Sequence, residues 1–328
     1  MSRKRLRAAV IGVGYLGQFH AEKLAALKDV ELVAVVDADA GRARQIAAKH
    51  GCAAHSEHRA LLGGAVDLVS IAVPTESHHA AALAFLEAGV PVLVEKPMTR
   101  TLEEADALLA AARARGVLLA VGHLERFNPA FRALAQTLDQ PLFIDCERLS
   151  GFKQRGIDVD VVLDLMIHDL DLVLSMAQSE IGEVSACGFQ VMTDSIDIAN
   201  VRIEFASGCV ANLSASRVSQ SPVRKLRVFQ TDQYASADLQ AGKLRVVRRN
   251  ARGGAIAEDE SGFDDRDALR AEIENFVAAV RGGRPPLVSG EDGRKALALA
   301  LEVSRLVRAR LERFSAAAAQ RRFGGAER

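Results

Sequence analysis

Arg7-Ala8-Ala9-Val10-Ile11-Gly12-Val13-Gly14-Tyr15-Leu16-Gly17 decides the fold. A short apolar run rich in β-formers ends in a G-x-G-x-x-G turn, and a helical pattern opens near Gln18. Gly12, Gly14 and Gly17 at this spacing permit a tight turn, close approach of backbone N–H groups to a pyrophosphate, and tight packing of helix on strand. Tyr15 and Leu16 complete the turn that the phosphates would meet, and the helix N-terminus behind it offers its positive dipole end. Such a motif alone is weak, so its surroundings matter. A second apolar run, Glu31 to Val36, ends at Asp37, about 20 positions after Gly17, the spacing of the acid that binds an adenosine ribose. A carboxylate there accepts from the 2′ and 3′ hydroxyls and repels a 2′-phosphate, which favours NAD over NADP. The competing reading of Asp37 is an N-cap for the next helix, and Arg42 and Arg44 leave some tolerance for a phosphate.

Outward from this turn, apolar runs at Leu68 to Ala72, Val90 to Val94 and Leu118 to Val121 alternate with Ala-rich helical stretches such as Leu102 to Arg115, capped by Thr99 or Thr101. Strand–helix alternation in which the strands lack polar alternation is the pattern of a parallel sheet covered on both faces. The expectation is an α/β chain with an N-terminal Rossmann dinucleotide-binding domain over residues 1–122. From His123 the texture changes to longer alternating runs, Val184 to Met192, Ile198 to Phe205, Gly208 to Ser216 and Lys225 to Gln230. These imply a C-terminal α+β domain with a large, mostly antiparallel open sheet over residues 123–288. One apolar helix is expected from Val159 to Met176, a loop from Asn250 to Ser261 and a helix from Asp265 to Arg281. A C-terminal helix over 289–328, ending near Arg310 with a frayed tail beyond Phe314, is expected to pack back toward the N-terminal domain.

The 328 residues suit two domains. Lys plus Arg and Asp plus Glu both total 42, so no net field favours nucleic acid or an anionic membrane as partner. Cys52, Cys146, Cys187 and Cys209 are far apart and form no C-x-x-C pair, which fits reduced thiols. The basic start lacks a signal-peptide pattern and no stretch reaches the roughly 20 apolar residues of a membrane helix, so a cytoplasmic protein is expected.

Two further stretches, Val73-Pro74-Thr75-Glu76-Ser77-His78 and Glu95-Lys96-Pro97, follow strands at the carboxyl edge of the sheet, where open α/β folds bind ligands. With Gly122-His123, Arg126-Phe127-Asn128-Pro129 and the Asp164-x-x-x-His168 pair, the chain resembles the Gfo/Idh/MocA oxidoreductases from Leu6 to about Leu311. The resemblance implies that Pro74, Thr75 and His78 line the cofactor, Glu95 contacts the nicotinamide ribose, Lys96 reaches the reacting hydroxyl and Pro97 has a cis peptide bond. Read by themselves, Glu95-Lys96 would be an exposed ion pair and His78 an ordinary helix-start residue.

Asp164 and His168 are four apart in an apolar stretch, so on an α-helix they share a face, with Asp171 a turn further on. Polar groups there need partners or a polar cavity. A buried, satisfied His–Asp pair is the bland reading. Histidine titrates near neutrality and an adjacent carboxylate would orient it and favour its charged form, so the functional reading is a catalytic base. Which of Lys96 and His168 is that base stays open, and with no third ligand apparent no metal is expected. The approach Gly151-Phe152-Lys153-Gln154-Arg155-Gly156 departs from the family's glycine-rich one. Its two cations read equally as a diphosphate site or as a solvated basic loop. This loop together with Arg126 and Asn128 resembles the nucleotide-sugar 3-dehydrogenase branch. The branch implies a UDP-N-acetylglucosamine substrate for lipid A and cell-envelope sugar synthesis, and family analogy implies a homodimer or homotetramer through the C-terminal sheet. Rival readings are an inositol or simple sugar dehydrogenase, a redox-assisted glycosidase, and a catalytically silent NAD-binding regulator.

Overall fold

The computed structural model describes residues 4–152, 159–249, 254–264, 267–282 and 284–323, with side chains described up to Phe314. Its contacts divide into two compact units, Met1–Phe127 with Asp267–Leu297, and Asn128–Arg266 with Ala298–Arg328.

The first unit is a six-stranded sheet built from β1 (Leu6–Ile11), β2 (Val30–Val36), β3 (Ala53–His55), β4 (Leu68–Ile71), β5 (Val92–Glu95) and β6 (Leu119–Gly122). The strand order is β3-β2-β1-β4-β5-β6, and every pair is parallel. Order reverses beside β1, where β1 lies between β2 and β4; at such a switch point the carboxyl ends of the strands open a crevice. The crossings are α1 (Gly17–Ala26), α2 (Ala40–His50), α3 (Thr75–Glu87) and α4 (Leu102–Arg115). Local chemistry fixes their ends. Asp39 caps α2 by accepting from Gly41 N and Arg42 N at 2.9 and 3.1 Å, and Thr101 caps α4 from Glu104 N at 3.3 Å. Asp37 is therefore not the cap of α2.

Helix α7 (Ala268–Gly282) also belongs to this unit, although the sequence boundary at 288 grouped it with the second domain. Ile273, Phe276 and Val277 join Val13, Leu24 and Leu93 in one buried cluster, and Lys23 of α1 meets Asp267 at 2.9 Å. An amphipathic helix takes its place from the apolar surface it covers, whatever its position in the chain. The first turn of α8 (Gly290–Phe323) follows it there: Gly290 and Gly293 rest on Leu119 and Val121 so closely that a Cβ at either would collide. The helix continues to Phe323, past the expected end near Arg310.

The second unit carries β7 (Phe143–Leu149), β8 (Ile181–Phe189), β9 (Ile198–Phe205), β10 (Val210–Ser216), β11 (Val223–Gln230), β12 (Gln233–Asp238), β13 (Lys243–Arg249) and β14 (Ile256–Gly262). The order is β14-β13-β12-β11-β7-β10-β9-β8, antiparallel except where β7 runs parallel to β10. Along β9 the side chains alternate strictly, with Ala199, Val201, Ile203 and Phe205 buried and Asn200, Arg202 and Glu204 exposed. The short α5 (Pro129–Ala135) lies against β12 and β13, and α6 (Ile167–Ala177) against the central β7 and β10.

Two expectations for this unit are corrected. The single helix expected from Val159 to Met176 is a π-helical turn, Val162–Met166, followed by α6. Asp160 anchors its start, accepting from Leu163 N at 3.0 Å while its other oxygen meets Arg308 at 3.1 Å. The acidic stretch expected to lie in a loop is the edge strand β14. Its residues are all exposed, so no alternation betrayed it, and cross-strand pairs hold it to β13: Arg245–Glu258 at 2.7 Å, Arg248–Asp259 at 3.2 Å and Lys243–Glu260 at 3.8 Å. Charged edges of this kind resist pairing with further strands. Among the described residues no helix is long and apolar enough to cross a membrane.

Candidate active site

The glycine turn is built for backbone proximity. Gly12 has φ +84°, and a Cβ on it would lie 2.7 Å from the Ala72 carbonyl oxygen. A Cβ on Gly17 would run into the Gly12 carbonyl, so α1 and β1 could not approach as they do. Gly14 is different: only the Arg42 guanidinium, at 3.8 Å, faces where its Cβ would be. Leu16, at the head of α1, provides no side-chain cap and the first turn holds no acid. The start of the helix thus carries neither a capping side chain nor an acid in its first turn, which suits an incoming pyrophosphate.

Asp37, at the end of β2, is almost fully buried. Its Oδ2 accepts from Val13 N at 3.0 Å, its Oδ1 from Asp39 N at 2.9 Å, and Arg42 stands 3.3 Å from both oxygens. The carboxylate is tied to the glycine turn and held rigidly at the adenosine end. Glycine turn, open helix start and oriented acid together fit a dinucleotide.

At the carboxyl ends of β4 and β5, Pro74 is exposed and Thr75 half-buried at the start of α3. The Lys96–Pro97 peptide bond is cis, as the resemblance implied. His78 is buried, and its Nδ1 and Nε2 lie 2.9 Å from the carbonyl oxygens of Pro97 and Val73. Its contribution is to brace the two loops that carry Thr75 and Lys96. Burial pushes His78 below the ordinary histidine range, against the pull of the two carbonyls and Glu95, and a neutral ring can donate to only one carbonyl at a time.

Glu95 ends β5 opposite Gly122 of β6. Its Oε1 lies 3.1 Å from His20 Nε2 and its Oε2 accepts from Lys96 N at 3.3 Å. Burial raises the Glu95 carboxyl, but the His20 hydrogen bond, the His20 charge and Lys96 outweigh it and leave Glu95 below the ordinary carboxylate range. Behind it, His20 Nδ1 lies 2.7 Å from Ser70 Oγ. On α7, Glu272 is 2% exposed, and among the described residues neither carboxyl oxygen has a hydrogen-bond partner. Burial, with the Glu95 charge added, pushes Glu272 well above the carboxylate range. His20, Ser70 and Glu272 were missed in the sequence. The signal was there for the first two: a polar residue in a buried strand or inner helix face needs a partner.

Lys96 belongs to the first unit, and Asp164 and His168 to the second. Asp164 lies in the π-helical turn and His168 in the first turn of α6; both are half-buried. π-turns inside helices recur at functional sites. Next to His168, Asp169 forms a buried two-point pair with Arg148, at 2.8 Å for both contacts, and Asp171 is buried. Arg126 occupies a 3-10 turn after β6, while Asn128 caps α5 through Ala130 N at 3.1 Å and donates to Leu239 O at 2.9 Å. Lys153 and Arg155 lie outside the described residues. Among the described residues no group of three or more side chains could hold a metal ion.

A parallel sheet in this order, with its glycine turn at the switch point and an oriented acid after β2, defines a dinucleotide-binding protein of the Rossmann class. The pattern of the oxidoreductase family with an NAD-binding Rossmann fold (GFO_IDH_MocA) matches residues 6–123, and that of the GFO/IDH/MocA C-terminal domain matches residues 138–236. The chain is 43% identical over 313 residues to the UDP-N-acetylglucosamine 3-dehydrogenase of Acidithiobacillus ferrooxidans, covering 94% of this chain and 99% of that one. A solved structure of that enzyme superposes with a TM-score of 0.88 over 93% of this chain and 98% of the other. The NAD(+)-dependent scyllo-inositol 2-dehydrogenase of Bacillus subtilis is 30% identical, over 88% and 90% of the two chains. The chain belongs to the Gfo/Idh/MocA oxidoreductase family, and its cofactor is NAD.

Proposed function

We propose that the chain oxidises the C3 hydroxyl of UDP-N-acetylglucosamine to a ketone, in the cytoplasm and for cell-envelope sugar synthesis such as that of lipid A. The observation that carries this reading is similarity along nearly the whole chain to a UDP-N-acetylglucosamine 3-dehydrogenase, with the inositol enzymes more distant. Bound NAD supplies the hydride acceptor. The chain supplies orientation and proton handling. Asp37 and the glycine turn hold the dinucleotide, with Pro74, Thr75 and Glu95 toward its nicotinamide half and His78 bracing their loops. His168, with Asp164 to orient it, is assigned the role of proton acceptor, and Lys96 that of polarising the reacting hydroxyl. Arg126, Asn128, Lys153 and Arg155 are assigned to the nucleotide-sugar, the last two to its diphosphate. The exposed face of the eight-stranded sheet, with Asn200, Arg202 and Glu204 of β9, is the surface through which a homodimer or homotetramer would form.

Lys96→Ala and His168→Ala should each lower turnover by roughly 10²-fold or more while leaving NAD affinity nearly unchanged, the usual scale of acid–base catalysis. The double variant should be hardly worse than either single one, because residues acting as one unit are not additive. Near-normal turnover in both single variants would remove the mechanism. An NAD complex of the unmodified protein with no turnover on any sugar would favour the regulator.

A further inference from the structure

We infer that His20 is a positioning residue for the cofactor, holding the Glu95 carboxylate ionised and aimed so that it can receive the nicotinamide ribose. The inference rests on the reading in which Glu95 meets that ribose.

The geometry runs in one direction. An ionised carboxylate only accepts, so at 3.1 Å the His20 Nε2 must carry the proton that points at Glu95 Oε1. Ser70 Oγ, 2.7 Å away and buried, holds the other ring nitrogen: its hydroxyl donates to Nδ1 of a neutral ring and its oxygen accepts from Nδ1 of a charged one. A chain Ser70–His20–Glu95 results, with Ser70 on β4, His20 on α1 and Glu95 at the end of β5. Lys96 N takes Oε2 at 3.3 Å and fixes the carboxylate plane from the other side. Gly122 at the end of β6 leaves the carboxylate room: a Cβ there would stand 3.0 Å from the Glu95 carboxyl carbon and Oε1 and crowd it. Oxygen lone pairs remain for two adjacent hydroxyls.

His20 lies three residues after Gly17, on the helix whose N-terminus faces the pyrophosphate. One helix therefore sets both the phosphate site and, through a buried ring, the acceptor at the nicotinamide end. Besides His20, the charged and titratable groups that act on or feel Glu95 include Lys96 beside it, His78 from α3 and Glu272 from α7; Lys23, one turn along α1, is engaged by Asp267. Of the two carboxyls, Glu272 is pushed above the ordinary carboxylate range and Glu95 below it, so Glu95 is the more readily ionised of the pair. Without the His20 donor, burial and Glu272 act on Glu95 with less opposition. Its pKa then rises, and the ionised form is lost at a higher pH.

The test is NAD binding by titration calorimetry from acidic to neutral pH, without sugar, on the unmodified protein and on His20→Phe, His20→Gln and Ser70→Ala. His20→Phe keeps the ring shape and removes the donor; it should weaken NAD about tenfold at neutral pH and move the acid limb of binding upward by about one unit. His20→Gln returns an amide N–H near the position of Nε2 and should restore both to within about threefold. Ser70→Ala should move the acid limb in the same direction by less. Unchanged affinity and an unchanged acid limb in folded His20→Phe overturn the inference. Where His20→Phe does not fold, Ser70→Ala decides: a raised acid limb upholds the inference and an unmoved one overturns it. Absence of NAD binding in the unmodified protein is a separate outcome, which removes the reading beneath it.

Discussion

Single carboxylates carry much of the specificity in this chain, and their surroundings give each a different task. Asp37 is fixed by Val13 N and Asp39 N and has Arg42 3.3 Å away. NAD should bind well ahead of NADP, and Asp37→Ala should narrow the gap in parallel titrations, because the repulsion is gone and Arg42 becomes available to a 2′-phosphate. Equal binding of the two cofactors by the unmodified protein would contradict this. Glu272 is the opposite case, buried with no hydrogen-bond partner among the described residues and held well above the carboxylate range by burial and by Glu95. A raised carboxyl pKa means that the folded state keeps a proton which the unfolded chain has already released. Stability is therefore lost as pH climbs from the ordinary carboxylate range toward the raised value. Glu272→Gln should unfold at a higher temperature than the unmodified protein at pH 8, with the difference closing toward pH 4; a constant difference would show that Glu272 does not titrate this way. Asp37 was legible in the sequence because it sits at a fixed distance from a motif. Glu272 was not, since a lone glutamate in an amphipathic helix looks solvated until the packing of α7 is known.

At the scale of elements, turns and helix starts are held by local acids. In the turn between β8 and β9, Asp197 is fully buried and accepts from Val191, Met192 and Thr193 N at 2.7 to 2.9 Å and from the Thr193 hydroxyl at 2.7 Å. Burial raises this carboxyl, but the backbone donors and the hydroxyl prevail and hold it at about 2. A depressed carboxyl contributes its stability above its unfolded pKa of about 3.9 and loses it as pH falls toward the folded value. Asp197→Asn should cost about 3 kcal/mol at neutral pH, by the conversion of about 1.4 kcal/mol per unit. In thermal melts the cost should shrink between about pH 4 and pH 2; a cost independent of pH would contradict this assignment. Patterned elements could be read in advance: β1, β2, β4 and β9 appear where apolar runs or strict alternation put them. The π-turn at Val162–Met166 and the edge strand β14 could not. The first depends on what Asp160 and its neighbours bond to, and the second on cross-strand charges, each a weak contributor alone, in a segment with no buried face.

For the whole molecule, the fold class, the cofactor and the family were legible because the glycine turn, the acid after β2 and the Glu95-Lys96-Pro97 loop each obey a spacing set by the ligand. The grouping of elements was less so, since α7 and the first turn of α8 complete the unit that holds the nucleotide sheet although they come late in the chain. The candidate site was partly legible: Asp37, Glu95 and Lys96 are named by motif, whereas the support beneath Glu95 from His20 and Ser70 is visible only once α1, β4 and β5 are packed. The account as a whole stands on substrate class. The most direct measurement is NADH formation with NAD across a panel of UDP-N-acetylglucosamine, other UDP-sugars, free N-acetylglucosamine, glucose and inositols. The account predicts NADH with UDP-N-acetylglucosamine well above every other member of the panel; turnover of an inositol or a free sugar with none on UDP-N-acetylglucosamine would contradict it.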